Sequence, residues 1–320
     1  KNVHQILCKY ILADGYPFVV DLKNSKGSYM VDARTGKKYL DFFTFFASFP
    51  IGYNHPKMTT KTFKEKLAEV AINKPSNSDL YTVEMADFVQ TFAKLAAPKE
   101  YKHFFFISGG GLAVENALKA AFDWKVRLNQ SRGIKGEVGT KVIHFKEAFH
   151  GRTGYTLSLT NTADPRKYMY FPRFNWPRII TPKITFPLNE KNLKIVKKLE
   201  EKAIAQITAA IKRYGKDIAA LIIEPIQAEG GDNHFRPEFF KALRTITEKN
   251  DIILVFDEVQ TGMGLTGKWW AYQHYGITPD IICFGKKSQV CGIMATDTVS
   301  YTHLRAHETV LDLVCRLLLE

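Results

Sequence analysis

Five short apolar runs limit most strongly what this chain can fold into. They are His103 to Ile107, Lys141 to Phe145, Ile218 to Ile223, Ile252 to Phe256 and Ile281 to Phe284. Each has the length of a strand, and in most of them apolar residues fill both faces, as in strands covered by helices above and below. Helical spacing runs from about Lys57 to Ile72, Val83 to Leu95 and Leu112 to Leu128. It returns between Lys191 and Lys216, where Leu193, Val196, Ala203, Ile207 and Ile211 recur with lysines between them. Short apolar strands alternating with helices predict an α/β fold with a largely parallel sheet.

The first forty residues read differently. Pro17 to Leu22 and Ser28 to Asp32 are strand-like and flank the turn-rich Lys23 to Gly27, with Thr35-Gly36 following. The longest apolar stretch, Leu40 to Tyr53, is too short to span a bilayer and contains Asp41 and Pro50. It reads as buried aromatic core beside a site. The opening residues lack the pattern of a secretory signal. Cys8, Cys283, Cys291 and Cys315 are scattered, with neither a disulfide framework nor metal-ligand spacing, so a cytoplasmic protein without a metal is expected. The net charge of +13 lies largely on the lysine-rich helix face. No nucleic-acid-binding pattern accompanies it, and the expectation is no nucleic-acid and no membrane partner.

Four segments carry chemistry. His103 to Ser108 runs into Gly109-Gly110-Gly111 and then a helix, and a glycine turn at a helix N-terminus presents backbone N–H groups to a phosphate. Val114 stands where a dinucleotide fingerprint needs its last glycine. The run Ile252 to Phe256 ends in Asp257-Glu258-Val259-Gln260-Thr261-Gly262. A carboxylate at the end of a buried strand needs a cation, and a protonated pyridine nitrogen is one. This segment also mimics a nucleotide-binding pair, because Gly262 to Lys268 fits GxxxxGK. Trp269, however, replaces the hydroxyl that would hold magnesium, and the loop follows the acidic strand instead of preceding it.

Pro279 to Phe284 leads into Gly285-Lys286-Lys287. Desolvation at a strand end lowers a lysine's pKa and frees its amine to attack an aldehyde. In an extended segment Lys287 points away from Lys286. A ring held between Asp257 and Lys286 has its nitrogen at one and its aldehyde carbon at the other. In Phe149-His150-Gly151-Arg152, Phe149 suits stacking on an aromatic cofactor and Arg152 suits a carboxylate. Glu224 to Gly231 adds two acids near the same edge, which leaves a carboxylate acid–base pair as a rival reading.

In order and spacing, the glycine turn, FHGRT, EPIQAEGG, the DEVQTG run and PDIICFGK resemble the class III pyridoxal-phosphate-dependent aminotransferases over roughly residues 1–295. The resemblance implies a fold-type I α/β transferase: a large domain with a mostly parallel sheet, part of a small domain, and a homodimer with its site at the subunit interface. It implies that Gly110 and Gly111 hold the phosphate of pyridoxal 5'-phosphate. Phe149 stacks on the ring, Asp257 binds the ring nitrogen, and Val259 and Gln260 line the opposite face and the ring oxygen. Lys286 forms the Schiff base and shuttles the proton. Most relatives carry a small non-glycine residue at the position of Gly111. FFTFFAS, NKPSNSD, AFDWK, SLTNT, GGDNHFRPEFF and FGKKSQVCG resemble the branch acting on the ε-amino group of lysine more than those acting on ornithine or 4-aminobutyrate. That branch implies 2-oxoglutarate as acceptor, Arg152 as a clamp for a substrate carboxylate, and Glu229 as a gate that masks an arginine.

The implied layout is residues 1–70 as small-domain segment and lead-in, 71–296 as the cofactor-binding large domain, and 297–320 as a non-native tail. The tail (SYTHLRAHET, then LVCRLLLE) reads like a translated adaptor. It still places Val310, Leu313, Val314, Leu317 and Leu318 on one helical face. Relatives continue well beyond this point, so the chain reads as an enzyme fragment lacking the gated arginine and a cross-dimer phosphate-binding threonine.

Overall fold

The computed structural model describes residues 2–73, 75, 77 and 80–299. Among them the chain forms two compact units, 2–73 and 75–299.

The first unit is sparse. After a single helical turn, α1 (Val3–Leu7), comes a three-residue hairpin of β1 (Tyr29–Val31) and β2 (Lys38–Leu40), antiparallel with Met30 opposite Tyr39. Pro17 to Leu22 is not a strand; it contributes one bridge, Val20 to Asp32. α2 (Thr44–Ala47) is one left-handed turn, and α3 (Lys61–Asn73) follows. The expectation of a buried aromatic core in Leu40 to Tyr53 is corrected here. Tyr53 is 2% exposed, but Phe42 is 89% and Phe46 67% exposed. The reason is a shortage of partner surface, since α3 buries only Val70 and both strands are open to solvent. The rings therefore pack on one another, Phe43 on Phe46 and Phe49 on Tyr53, each at 4.8 Å.

The second unit is built on a seven-stranded sheet. Its strands are β3 (His103–Ile107), β4 (Lys141–Phe145), β5 (Arg178–Ile179), β6 (Ile218–Ile223), β9 (Ile253–Asp257), β10 (Ile281–Phe284) and β11 (Cys291–Ala295), in the order β3-β11-β10-β9-β6-β4-β5. Neighbours from β10 to β5 are parallel, and β11 runs antiparallel to both β3 and β10. Every residue of β6, β9 and β10 is buried, which explains their uninterrupted apolar sequence.

Helices cover this sheet. α4 (Val83–Leu95) starts where the Thr82 hydroxyl accepts the Met85 N–H, satisfying a donor the helix cannot. α5 (Gly110–Ser131) buries Ala113, Val114, Ala117, Leu118, Ala120 and Ala121, small residues that let it lie close to the strands. α6 (Thr156–Leu159) is short. α7 (Glu190–Tyr214), capped by Asn189, buries Val196, Ala203, Ile207 and Ala210 and leaves its lysines in water. β7 (Ile226–Gln227) and β8 (Asn233–His234) form a separate hairpin before α8 (Pro237–Lys249). Val299 joins the sheet core, and Asp297 pairs with Lys102 and His103. The helix expected beyond it falls in 300–320, outside the described residues.

Candidate active site

Parallel pairing gathers the site. The carboxyl ends of β4, β6, β9 and β10 share one edge of the sheet, where open α/β sheets bind ligands. Cys283 of β10 lies beside Asp257 of β9, and Lys286 follows three residues later. The segments leaving this edge carry Phe149 to Arg152, Glu224, Asp257 to Gln260 and Lys286.

Asp257 is buried and both its oxygens are engaged. His150 Nδ1 lies 2.7 Å from Oδ2, and the Val259 N–H donates to Oδ1 at 3.1 Å. The histidine is itself fixed: its N–H donates to Thr160 Oγ1 at 3.0 Å, and that hydroxyl donates to the Gly151 carbonyl at 2.6 Å. Sequence reasoning assigned His150 no role. Its bond to Asp257 spans 107 positions, a pairing invisible to local spacing.

Lys286 opens a 3-10 turn, Lys286–Ser288, with a left-handed φ of 54°. The expected extended geometry is therefore corrected, because the chain must reverse between Phe284 and Cys291 to enter antiparallel β11. A Cβ at Gly285 would stand 2.8 Å from Cys291 Sγ, so a larger residue here would push that side chain aside. Lys287 turns inward, and its Nζ donates to the Gln260 carbonyl at 2.6 Å. Burial pushes the Lys286 ammonium below its ordinary pKa, against the pull of Asp257, Glu229 and Glu224. Burial, with Asp257 beside it, pushes the Glu224 carboxyl well up.

The glycine turn closes over this edge. A Cβ at Gly110 would meet Val259 Cγ1 at 3.0 Å, and one at Gly151 would meet Gly111 Cα at 2.7 Å. The N-terminus of α5, the FHGRT segment and the residues after β9 are thus in close contact. At Gly111 a Cβ would lie 3.2 Å from Thr153 Cγ2, tight but open to a small side chain.

Phe149, Arg152 and Glu229 meet through Lys167, which the sequence did not single out. Its Nζ lies 5.7 Å from the Phe149 ring centroid and pairs with Glu229, and its carbonyl accepts Arg152 Nε at 3.1 Å. Among the described residues Glu229 thus pairs with Lys167. The Phe149 N–H donates to Glu224 Oε1 at 2.9 Å.

The nucleotide-binding mimic is not built. Lys268 Nζ donates to the Gln273 carbonyl at 2.8 Å, and a Cβ at Gly262 would stand 2.5 Å from Trp270 Cζ3. That glycine serves close packing. Glu258, also unassigned from sequence, accepts the Ala271 and Tyr272 N–H groups at 2.7 and 2.8 Å and the Thr261 hydroxyl at 3.1 Å. It anchors the turn Ala271–His274, and burial pushes its carboxyl up to about 7 against those donors. Among the described residues no group of His, Cys, Asp or Glu is arranged to hold a metal, and no helix is long and apolar enough to cross a membrane.

Comparison with known proteins agrees with this geometry. The chain is 53% identical over 295 residues to the L-lysine-epsilon aminotransferase of Mycobacterium tuberculosis, covering 92% of this chain and 65% of that protein. The solved lysine aminotransferase from M. tuberculosis superposes with a TM-score of 0.94 at 50% identity, covering 98% of this chain and 74% of that one. The 4-aminobutyrate aminotransferase of Dictyostelium discoideum is 36% identical over 293 residues, covering 86% of this chain and 58% of its own length. The chain therefore spans 65% of the length of the lysine-epsilon relative. Its mixed, mostly parallel sheet is the fold-type I α/β architecture. The profile described as aminotransferase class-III matches residues 11–307, past Ala295, and the chain belongs to the class-III aminotransferase family, whose cofactor is pyridoxal phosphate.

Proposed function

We propose that this chain is the cofactor-binding part of an enzyme that transfers the ε-amino group of L-lysine to 2-oxoglutarate, giving 2-aminoadipate 6-semialdehyde and L-glutamate. The observation that carries the reading is the pairing of a half-desolvated lysine, Lys286, with a buried carboxylate, Asp257, on adjacent parallel strand ends beneath a glycine-led helix. Identity to lysine-epsilon aminotransferases exceeds that to the 4-aminobutyrate enzyme, which supports lysine as the donor.

The residues present fit pyridoxal phosphate. The α5 N-terminus offers unpaired N–H groups to the phosphate at Gly110 and Gly111. Asp257 is set to hold the ring nitrogen, and Lys286 has the depressed pKa an attacking amine needs. When bound, the cofactor supplies an aldehyde for the amine and a ring that takes up the electron pair released as a C–H bond breaks.

Lys286 would hold the cofactor through its amine, and the same amine would be placed to take up and return the substrate proton. Asp257 keeps the ring nitrogen protonated, and His150 holds Asp257 in place. Phe149 stacks on one ring face, fixed through its N–H by Glu224. Val259 would line the other face, and Gln260 would face the ring oxygen. Arg152 binds a substrate carboxylate. Glu229 acts as the gate, with Lys167 its partner in the present state. The working protein in this reading is a cytoplasmic homodimer.

Two measurements test this. Borohydride treatment with pyridoxal phosphate, followed by peptide mass spectrometry, is expected to place the cofactor on Lys286. In a donor panel, lysine is expected to give a higher kcat/KM than ornithine or 4-aminobutyrate. Labelling elsewhere overturns the site, and a higher value for ornithine overturns the substrate.

A further inference from the structure

A groove of about 680 Å³ lies at the outer edge of the sheet, between β5 and the C-terminal half of α7. Its walls carry Arg173, Arg178 and Arg213, and none of its lining residues is Asp or Glu. None of the three arginines forms an ion pair among the described residues. Arg173 lies over the Tyr168 ring, Arg213 over the Tyr214 ring, and Arg178 donates only to the Ser158 carbonyl, at 3.2 Å. Elsewhere in this unit several exposed arginines find carboxylates, as Arg127 does with Asp123, Arg132 with Asp251 and Arg166 with Asp164. Three guanidiniums without a carboxylate line one cavity, and burial together with the charge of Arg173 pushes the Arg178 pKa down. An anion compensates that charge, and guanidinium forks match phosphate oxygens two at a time.

The floor adds a second kind of contact. Phe174 and Trp176 stack with centroids 5.0 Å apart and planes within 10°. Trp176 is buried while Phe174 is 52% exposed, so a backed aromatic ring is offered to the groove. Gln206 spends its Oε1 on the Ile180 N–H at 2.9 Å, and its amide N–H groups add donors at the same wall. No residue of this groove belongs to the candidate active site.

We infer that the groove binds a nucleoside di- or triphosphate, its phosphates on Arg173, Arg178 and Arg213 and its base on Phe174. A small dicarboxylate satisfies the arginines but leaves the aromatic floor and much of the volume unused.

The test uses the protein loaded with saturating pyridoxal phosphate, so that the phosphate cradle of α5 is already taken. ADP, pyrophosphate and adenosine are titrated by calorimetry and by tryptophan fluorescence. ADP is expected to bind at least tenfold more tightly than either pyrophosphate or adenosine, to weaken steeply with salt, and to change Trp176 emission. In Arg173→Gln/Arg178→Gln/Arg213→Gln, ADP affinity should fall at least thirtyfold while cofactor loading stays unchanged. Phe174→Leu should remove the advantage of ADP over pyrophosphate. Equal binding of ADP and pyrophosphate to the unmodified protein overturns the nucleotide assignment. Unchanged ADP binding in the triple variant, in protein that still loads cofactor, overturns the groove.

Discussion

Replacing His150 by leucine isolates one contact on which the proposed site depends. The imidazole is fully buried, its Nδ1 lies 2.7 Å from Asp257 Oδ2, and the carboxylate's other oxygen keeps only the Val259 N–H at 3.1 Å. Donation to a carboxylate oxygen needs a proton on Nδ1, and Nε2 has no partner among the described residues. Leucine fills similar volume, so the loss is chiefly one hydrogen bond to a charged, buried acceptor, worth about 1.5–3 kcal/mol. If that bond is needed to hold Asp257 against the cofactor ring, the lysine half-reaction slows by roughly ten- to 150-fold. His150→Asn keeps an N–H at the δ position and should recover most of the rate. The assay is a stopped-flow half-reaction with lysine, alongside cofactor affinity and thermal unfolding. A His150→Leu variant that folds, binds cofactor and reacts at the unmodified rate refutes the reasoning. Asparagine performing no better than leucine refutes it too.

Lys287→Ala should keep borohydride-trappable cofactor while Lys286→Ala loses it, because Lys287 is committed to the Gln260 carbonyl; trapped label persisting in Lys286→Ala refutes this. Asp257→Ala should slow transamination by orders of magnitude while leaving phosphate-anchored cofactor bound, and a near-normal half-reaction rate contradicts it. Glu258 has a folded pKa of about 7 against an ordinary 4.5, so the folded state holds its proton more tightly and stability falls as pH rises through that interval. The fall attributable to Glu258 is about 3 kcal/mol at 1.36 kcal/mol per pKa unit. Urea midpoints at pH 5 and 8 should therefore differ less in Glu258→Gln than in the unmodified protein, and equal differences exclude the assignment.

The sheet was legible where a run of strand length stayed apolar, buried throughout in β6 and β10 and only half-covered at the edge strand β3: β3, β4, β6 and β10 lie on the residues the pattern predicts. β11 was not legible because Gly292 interrupts it. A Cβ there would stand 2.3 Å from the Phe105 carbonyl oxygen, so the close approach of β3 demands the residue that disguises the strand. β5, with two residues, is too short for any period to show. Leu40 to Tyr53 failed in the other direction, since hydrophobicity records that a surface wants cover and not whether the same unit supplies it. At the site, Asp257 and Lys286 stood out because a charge at the end of an apolar strand is costly without a purpose. The roles of His150, Lys167 and Lys287, and the bond by which Glu224 holds the Phe149 N–H, did not, because each depends on a partner that only the fold brings near.

Those unforeseen partners settle the electrostatics of the edge. Three carboxyl groups, Asp257, Glu224 and Glu229, act on the single amine of Lys286, an arrangement that would bind that amine as a plain ammonium and spoil it as a nucleophile. The fold removes two of the three. Burial pushes Glu224 toward its neutral form, leaving it as an acceptor for the Phe149 N–H, and Lys167 offsets Glu229 at the rim. Asp257 is then held by His150, which follows β4, two strands from β9 in the sheet, whereas Lys286 follows the adjacent β10 on the other side. In the proposed reading a phosphate would meet the α5 N-terminus, whose first turn carries no acid. Anion and amine chemistry are thus kept at separate points of one edge, and it is the placement of the supporting residues that lets a desolvated lysine sit among carboxylates without being neutralised by them.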